Sequence, residues 1–128
     1  MKNKRIVVDS NVFISGILFP GRVRLVLDSI IANNTIYCSE ELIEEVKRIL
    51  ITKFQVTDEI LSKFLELIDL THKIQVHATV MESRDPNDDF ILALAEECEA
   101  DFIVTGDKDL LTIKAWRSTK IISPSEYK

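Results

Sequence analysis

Short apolar runs of strand length, "RIVVD" (5 to 9), "TIYCS" (35 to 39), "FIVT" (102 to 105) and "STKIIS" (118 to 123), recur along the chain with helix-length segments between them. That alternation constrains the fold more than any other feature. The apolar residues within the first three runs are contiguous, which is the signature of strands covered on both faces. Strands joined through helices lie parallel and are connected by right-handed crossovers. The expected class is therefore α/β, with an open parallel sheet wound on both sides.

The segments between the strands carry helical periodicity. "VFISGILF" (12 to 19) reads as a short helix stopped by Pro20 and Gly21. "VRLVLDSIIAN" (23 to 33) places Val23, Leu27, Ile30 and Ile31 on one face and ends at Asn33 and Asn34. Ser39 is suited to cap a helix running to about Lys53. Residues 57 to 72 form another amphipathic helix with Ile60, Phe64, Leu67 and Ile68 in register, and "KIQV" (73 to 76) reads as a further strand. A connection over 77 to 84, a helix over 85 to 100 and a short helix over 108 to 113 complete the expected order.

At 128 residues the chain has room for one hydrophobic core, and residues 1–128 read as a single domain. No apolar stretch approaches a membrane span, and the apolar run before Asp9 is too short for a signal peptide, so the expected location is the cytoplasm, away from any membrane. Cys38 and Cys98 have no nearby cysteine partner and read as small core residues. The net charge of -5 argues against binding nucleic acid through bulk charge, so a polyanionic substrate would need another source of positive charge.

Acids stand where such a fold collects ligands, beyond the carboxyl ends of the strands. Asp9 closes the first run, and Asp107 follows "FIVTG". At about 100° per residue, Glu45 falls on the border of the apolar arc formed by Leu42, Ile43, Val46, Ile49 and Leu50, while Glu44 points away. Asp88 likewise aligns with Ile91, Leu92 and Ala95, whereas Asp89 shares the outer face with Glu96. Asp9, Glu45, Asp88 and Asp107 brought together would repel one another. A hard divalent cation, Mg²⁺ or Mn²⁺, relieves that repulsion and supplies the positive charge that a phosphodiester requires.

"VVDSNVFISGIL", "SEELIEEVKRIL", "DPNDDFILALAEECEADFIVTGDKDLL" and "IISPSEY" resemble, in this order and over nearly the whole chain, the PIN-domain proteins, in particular the branch of toxin components of toxin-antitoxin pairs. The resemblance implies a three-layer α/β/α sandwich with a central parallel sheet and a Mg²⁺- or Mn²⁺-dependent endoribonuclease acting on RNA. It also implies an antitoxin protein as partner, and family members often form homodimers, for which helices 23 to 33 and 57 to 72 offer faces. Matched residue by residue, the family's acids fall on Asp9, Glu45, Asp88 and Asp107, with Asn11 and Thr105 as supporting positions and Asp109 as a peripheral ligand.

Each acid also has an ordinary structural reading. Asp9 suits a helix cap, although Ser10 or Asn11 is available for that role. Glu45 is a normal border residue, and Asp85, Pro86 and Asp88 make a good helix start without a metal. Asp107 can cap "KDLL", and Asn11 and Thr105 divide evenly between local capping and orienting the acids. His72 and His77 read as surface residues and Trp116 as packing. Among the basic residues in connections, Arg22, Arg24, Arg84, Lys108, Lys114 and Arg117 are available to phosphates, none singled out. Two other functions compete with the nuclease: a PIN-like module that binds RNA or protein without cutting, and a receiver-type phosphoacceptor. The latter is disfavoured because "VVDSN" has one acid and "IQV" ends without any.

Overall fold

The computed structural model describes residues 1–77 and 86–128, without the side chains of residues 86–88. Among these residues, strands β1 (Arg5–Val8), β2 (Thr35–Cys38), β3 (His72–Lys73), β4 (Phe102–Val104), β5 (Ala115–Trp116) and β6 (Thr119–Ile122) form one sheet in the order β3-β2-β1-β4-β6-β5. Every pairing is parallel except β5 with β6. Helices α1 (Ser10–Leu18), α2 (Arg22–Asn33), α3 (Glu40–Thr52), α4 (Asp58–Ile68), α5 (Pro86–Glu97) and α6 (Lys108–Ile113) flank the sheet, and a 3-10 turn covers Pro124–Glu126. None of the described helices is long and apolar enough to cross a membrane.

β1 lies between two parallel neighbours, and Ile6, Val7 and Val8 are fully buried, as their contiguous apolar run requires. From β1 the chain builds outward through β2 to β3, then crosses back to add β4 and β6 on the other side. The strand order therefore reverses between β1 and β4, making that junction the topological switch point of the sheet. α1 packs against α2, α3 and α4, with Phe13 of α1 meeting Phe64 of α4 edge to face at 6.1 Å. Cys38 and Cys98 are buried free thiols, and burial pushes both pKa values up to about 11.

The helix starts follow capping chemistry. Ser39 Oγ accepts from Leu42 N at 3.2 Å and Thr57 Oγ1 from Ile60 N at 3.3 Å, each followed by two acids in the first helical turn. Several boundaries differ from the sequence expectation. The third strand is His72–Lys73 rather than 73 to 76; Ile74 N still donates to Cys38 O, but the pairing goes no further. The helix expected over 57 to 72 ends at Ile68, where Leu70 N and Thr71 N turn back to Leu67 O and Ile68 O. The helix expected over 85 to 100 ends at Glu97, because Glu99 adopts a left-handed φ of 52° and Ala100 N returns to Ala95 O. β5 and the 3-10 turn were not anticipated. The expected connection over 77 to 84, with Arg84 in it, lies outside the described residues apart from His77.

Candidate active site at the carboxyl edge of the sheet

Strand register assembles the centre of the site. Val8 pairs with Val104, so the next residues, Asp9 and Thr105, leave the sheet side by side at the switch point. Asp9 N donates to Val104 O at 2.9 Å, and Thr105 N to Ile122 O at 2.9 Å. Thr105 is wholly inaccessible and Asp9 only 5% exposed. The Thr105 hydroxyl donates to Asp9 Oδ2 at 2.6 Å, a short charge-assisted bond, and accepts from Asp107 N at 3.0 Å. One threonine thus couples the two strand-end acids.

The other Asp9 oxygen is also engaged: Oδ1 accepts from Ser10 N at 2.7 Å and, at 3.4 Å, from the Ser10 hydroxyl. This corrects the expectation that Ser10 or Asn11 would cap the first helix. β1 ends at Val8 and α1 begins at Ser10, so Asp9 is the single residue between them and is itself the N-cap. Asp107 caps α6 through Asp109 N, at 2.8 Å. Asn11 is exposed, and its Oδ1 reaches across to accept a long 3.4 Å bond from Gly106 N, tying the start of α1 to the loop after β4.

Burial is the largest influence on Asp9 and raises its pKa above the ordinary carboxylate value. The bonds from Thr105 and Ser10 oppose that rise, while the charges of Asp107 and Glu45 add to it. Asp107 and Glu45 are therefore each within electrostatic reach of Asp9. Glu45 is half-buried on α3, whereas Glu44 is exposed and pairs with Lys47 at 3.4 Å, as helical rotation indicates. Asp107 is half-buried and Asp109 exposed. The side chain of Asp88 lies outside the described residues, although its helix α5 packs against α3. Asp89 and Glu96, expected on an outer face, are each half-buried, and Glu96 pairs with Arg117 at 3.0 Å.

Among the described residues no three His, Cys, Asp or Glu side chains converge tightly enough to form a metal cage. The chemistry of the donors nevertheless fits a hard divalent cation. They are all carboxylates, and among the described residues no basic side chain offsets the charges gathered around buried Asp9. His72 and His77 are exposed, the first beside the Tyr37 ring and the second 3.4 Å from Glu97, and neither belongs to the site. Trp116 is half-buried against the core with Arg117 over its ring. Sequence marks Ser10 only as a candidate cap; its role as a donor to Asp9 follows from β1 ending at Val8 and α1 starting at Ser10.

A largely parallel α/β domain with strand-end acids at its topological switch point is the class that fold and site define together. The chain belongs to the PIN domain family, whose sequence profile matches residues 5–109. No curated protein matches it. Among solved structures it is similar to a chain in the crystal structure of VapBC2 from Rickettsia felis bound to a DNA fragment from their promoter. The two share 17% identity with a TM-score of 0.68, over 93% of this chain and 98% of that one. It is also similar to a domain of a functionally unknown protein from Methanocaldococcus jannaschii DSM 2661, with 17% identity and a TM-score of 0.56, over 92% of this chain and 89% of that one. Both likenesses concern the three-layer α/β/α fold.

Proposed function

We propose that the protein is a Mg²⁺- or Mn²⁺-dependent endoribonuclease and the toxin of a toxin-antitoxin pair. The observation that carries this reading is Asp9, a buried carboxylate at the switch point, raised in pKa by desolvation and by two neighbouring acids. Membership of the PIN family and the likeness to a chain of the VapBC2 structure support it, the latter through fold alone. Asp9, Glu45, Asp88 and Asp107 would hold the cation, with Asp109 at the periphery. A bound Mg²⁺ or Mn²⁺ supplies water activation and stabilises charge on the phosphoryl and leaving oxygens.

The chain's own contribution is preorganisation. Thr105 holds one oxygen of Asp9 and Ser10 the other, so the carboxylate keeps one orientation without ordering cost at the moment of binding. Asn11 fixes Gly106, the residue before Asp107. Burial keeps bulk water from screening Asp9.

The test is calorimetric titration of Mn²⁺ into the wild type and into an Asp9→Asn/Asp107→Asn variant, followed by incubation of both with single-stranded RNA. Wild-type binding lost in the variant, with RNA cleavage lost alongside, is expected. At 100 times its dissociation constant the ion should stabilise the wild type by about 2.7 kcal/mol in thermal unfolding. Equal binding by both proteins, or cleavage that survives the substitutions, refutes the acid site. Metal binding without RNA cleavage leaves the non-catalytic PIN-like binding module.

A further inference from the structure

Beside the acids lies a cavity of about 480 Å³, lined by Asn11, Val12, Ser15, Arg22, Val23, Gly106, Pro124 and Ser125. Its volume falls within the range of small-molecule sites, about 300–1,000 Å³. It shares Asn11 and Gly106 with the catalytic edge, so an occupant would sit next to whatever phosphate the acids engage. Val12, Val23 and Pro124 supply apolar walls, and Asn11, Ser15 and Ser125 supply polar groups. Arg22 is exposed and makes no ion pair with the described residues, unlike Arg24, which is committed to Asp28 at 3.2 Å. In a chain of net charge -5, a guanidinium without an ion pair among the described residues, in a cavity that adjoins the loop before Asp107, is well placed to offset local repulsion of a polyanion.

We infer that this cavity seats one base of an RNA strand next to the phosphodiester held at the acids, with Arg22 on the flanking phosphate, and so sets base preference. The inference rests on the proposed nuclease reading for its choice of ligand. It assigns separate tasks to the walls. Arg22 contributes affinity through phosphate without reading sequence, whereas Ser15, Ser125 and the apolar walls meet the base and discriminate. The guanidinium also gives an acidic protein a positive group beside the place where RNA would be held.

Binding is measured apart from cleavage, in the Asp9→Asn/Asp107→Asn background with EDTA present. The probes are fluorescently labelled hexamers of adenylate, cytidylate and uridylate. The pocket predicts affinities that differ at least threefold among the hexamers. Arg22→Ala should weaken all of them several-fold and reduce the salt slope by about one. Ser125→Trp, at an exposed position on the rim, should erase the differences among bases, and Arg48→Ala on the exposed side of α3 should do neither. Urea unfolding of each variant confirms that the fold is intact. Absence of binding, equal affinities for all hexamers, or affinities that neither pocket variant shifts by more than twofold would overturn the pocket. Cleavage is then assayed in Mn²⁺ with Asp9 and Asp107 intact. Pocket-dependent binding without cleavage removes the nuclease and keeps the pocket, whereas cleavage with unaltered site preference in Ser125→Trp removes the pocket and keeps the nuclease.

Discussion

Replacing Thr105 by valine removes a hydroxyl from the most buried part of the site while keeping nearly the same shape. The hydroxyl donates to the Asp9 carboxylate at 2.6 Å and accepts from Asp107 N at 3.0 Å. A hydrogen bond to a charged group contributes about 1.5–3 kcal/mol. Leaving the half-buried Asp107 N–H without its partner adds about 1 kcal/mol, the low end for an unsatisfied donor because water can reach it in part. Valine leaves no cavity, so Thr105→Val should cost about 2.5–4 kcal/mol in total. Thr105→Ser is the control: it retains the hydroxyl and loses one buried methyl, about 1 kcal/mol. Urea unfolding in EDTA, followed through the single tryptophan, Trp116, measures both. In a double-mutant cycle with Asp9→Asn, the hydroxyl and the carboxylate should show a coupling of about 1 kcal/mol or more. A valine variant within about 0.5 kcal/mol of wild type, or valine and serine variants of equal stability, would refute the coupling of the two strand ends through this residue.

Asp9 itself should weaken the metal-free fold at neutral pH. Its pKa in the folded state lies above the ordinary value of 3.8, so the folded chain holds that proton more tightly than the unfolded one. Its contribution is fully present below that ordinary value and is lost as pH rises through the folded pKa. Asp9→Asn should therefore raise the melting temperature in EDTA at pH 7 and lose that advantage in acid, as scanning calorimetry at several pH values would record; a variant less stable than wild type at pH 7 would contradict this. In the core, Phe64→Ala removes a fully buried ring and its edge-to-face contact with Phe13 and should cost about 3–5 kcal/mol by chemical denaturation.

The legible and illegible parts of this fold separate on physical grounds. β1 and β4 are central, and their contiguous apolar residues announce it. Rotation about α3 correctly assigned Glu44 to solvent and Glu45 to the border because the apolar arc of that helix is well defined. Residues 85 to 100 ran past their true end because Glu99 takes a positive φ without being glycine or asparagine. β5 escaped for a similar reason: Arg117, with φ of 53°, stands in a two-residue turn that lacks any Asn-Gly signal. Asp9 and Asp107 stand at strand ends by position along the chain, yet their meeting depends on β1 and β4 being neighbours. That adjacency arises from the reversal of strand order, which residue periodicity does not encode. Asp9 closes the apolar run in sequence, but β1 ends one residue earlier at Val8, which frees Asp9 to be the cap.

The two outermost strands are each only two residues long, His72–Lys73 at one side and Ala115–Trp116 at the other. A sheet edge is a template for its own extension, since unpaired backbone groups recruit any passing extended segment, and brevity and charge blunt it. Exposed Lys73 stands in one edge strand, and the other turns at once into Arg117. A parallel sheet whose centre is a run of isoleucine and valine would be prone to fibrillar growth if a long edge were open. Among the described residues, these stubs offer little backbone of their own for another chain to continue the ladder.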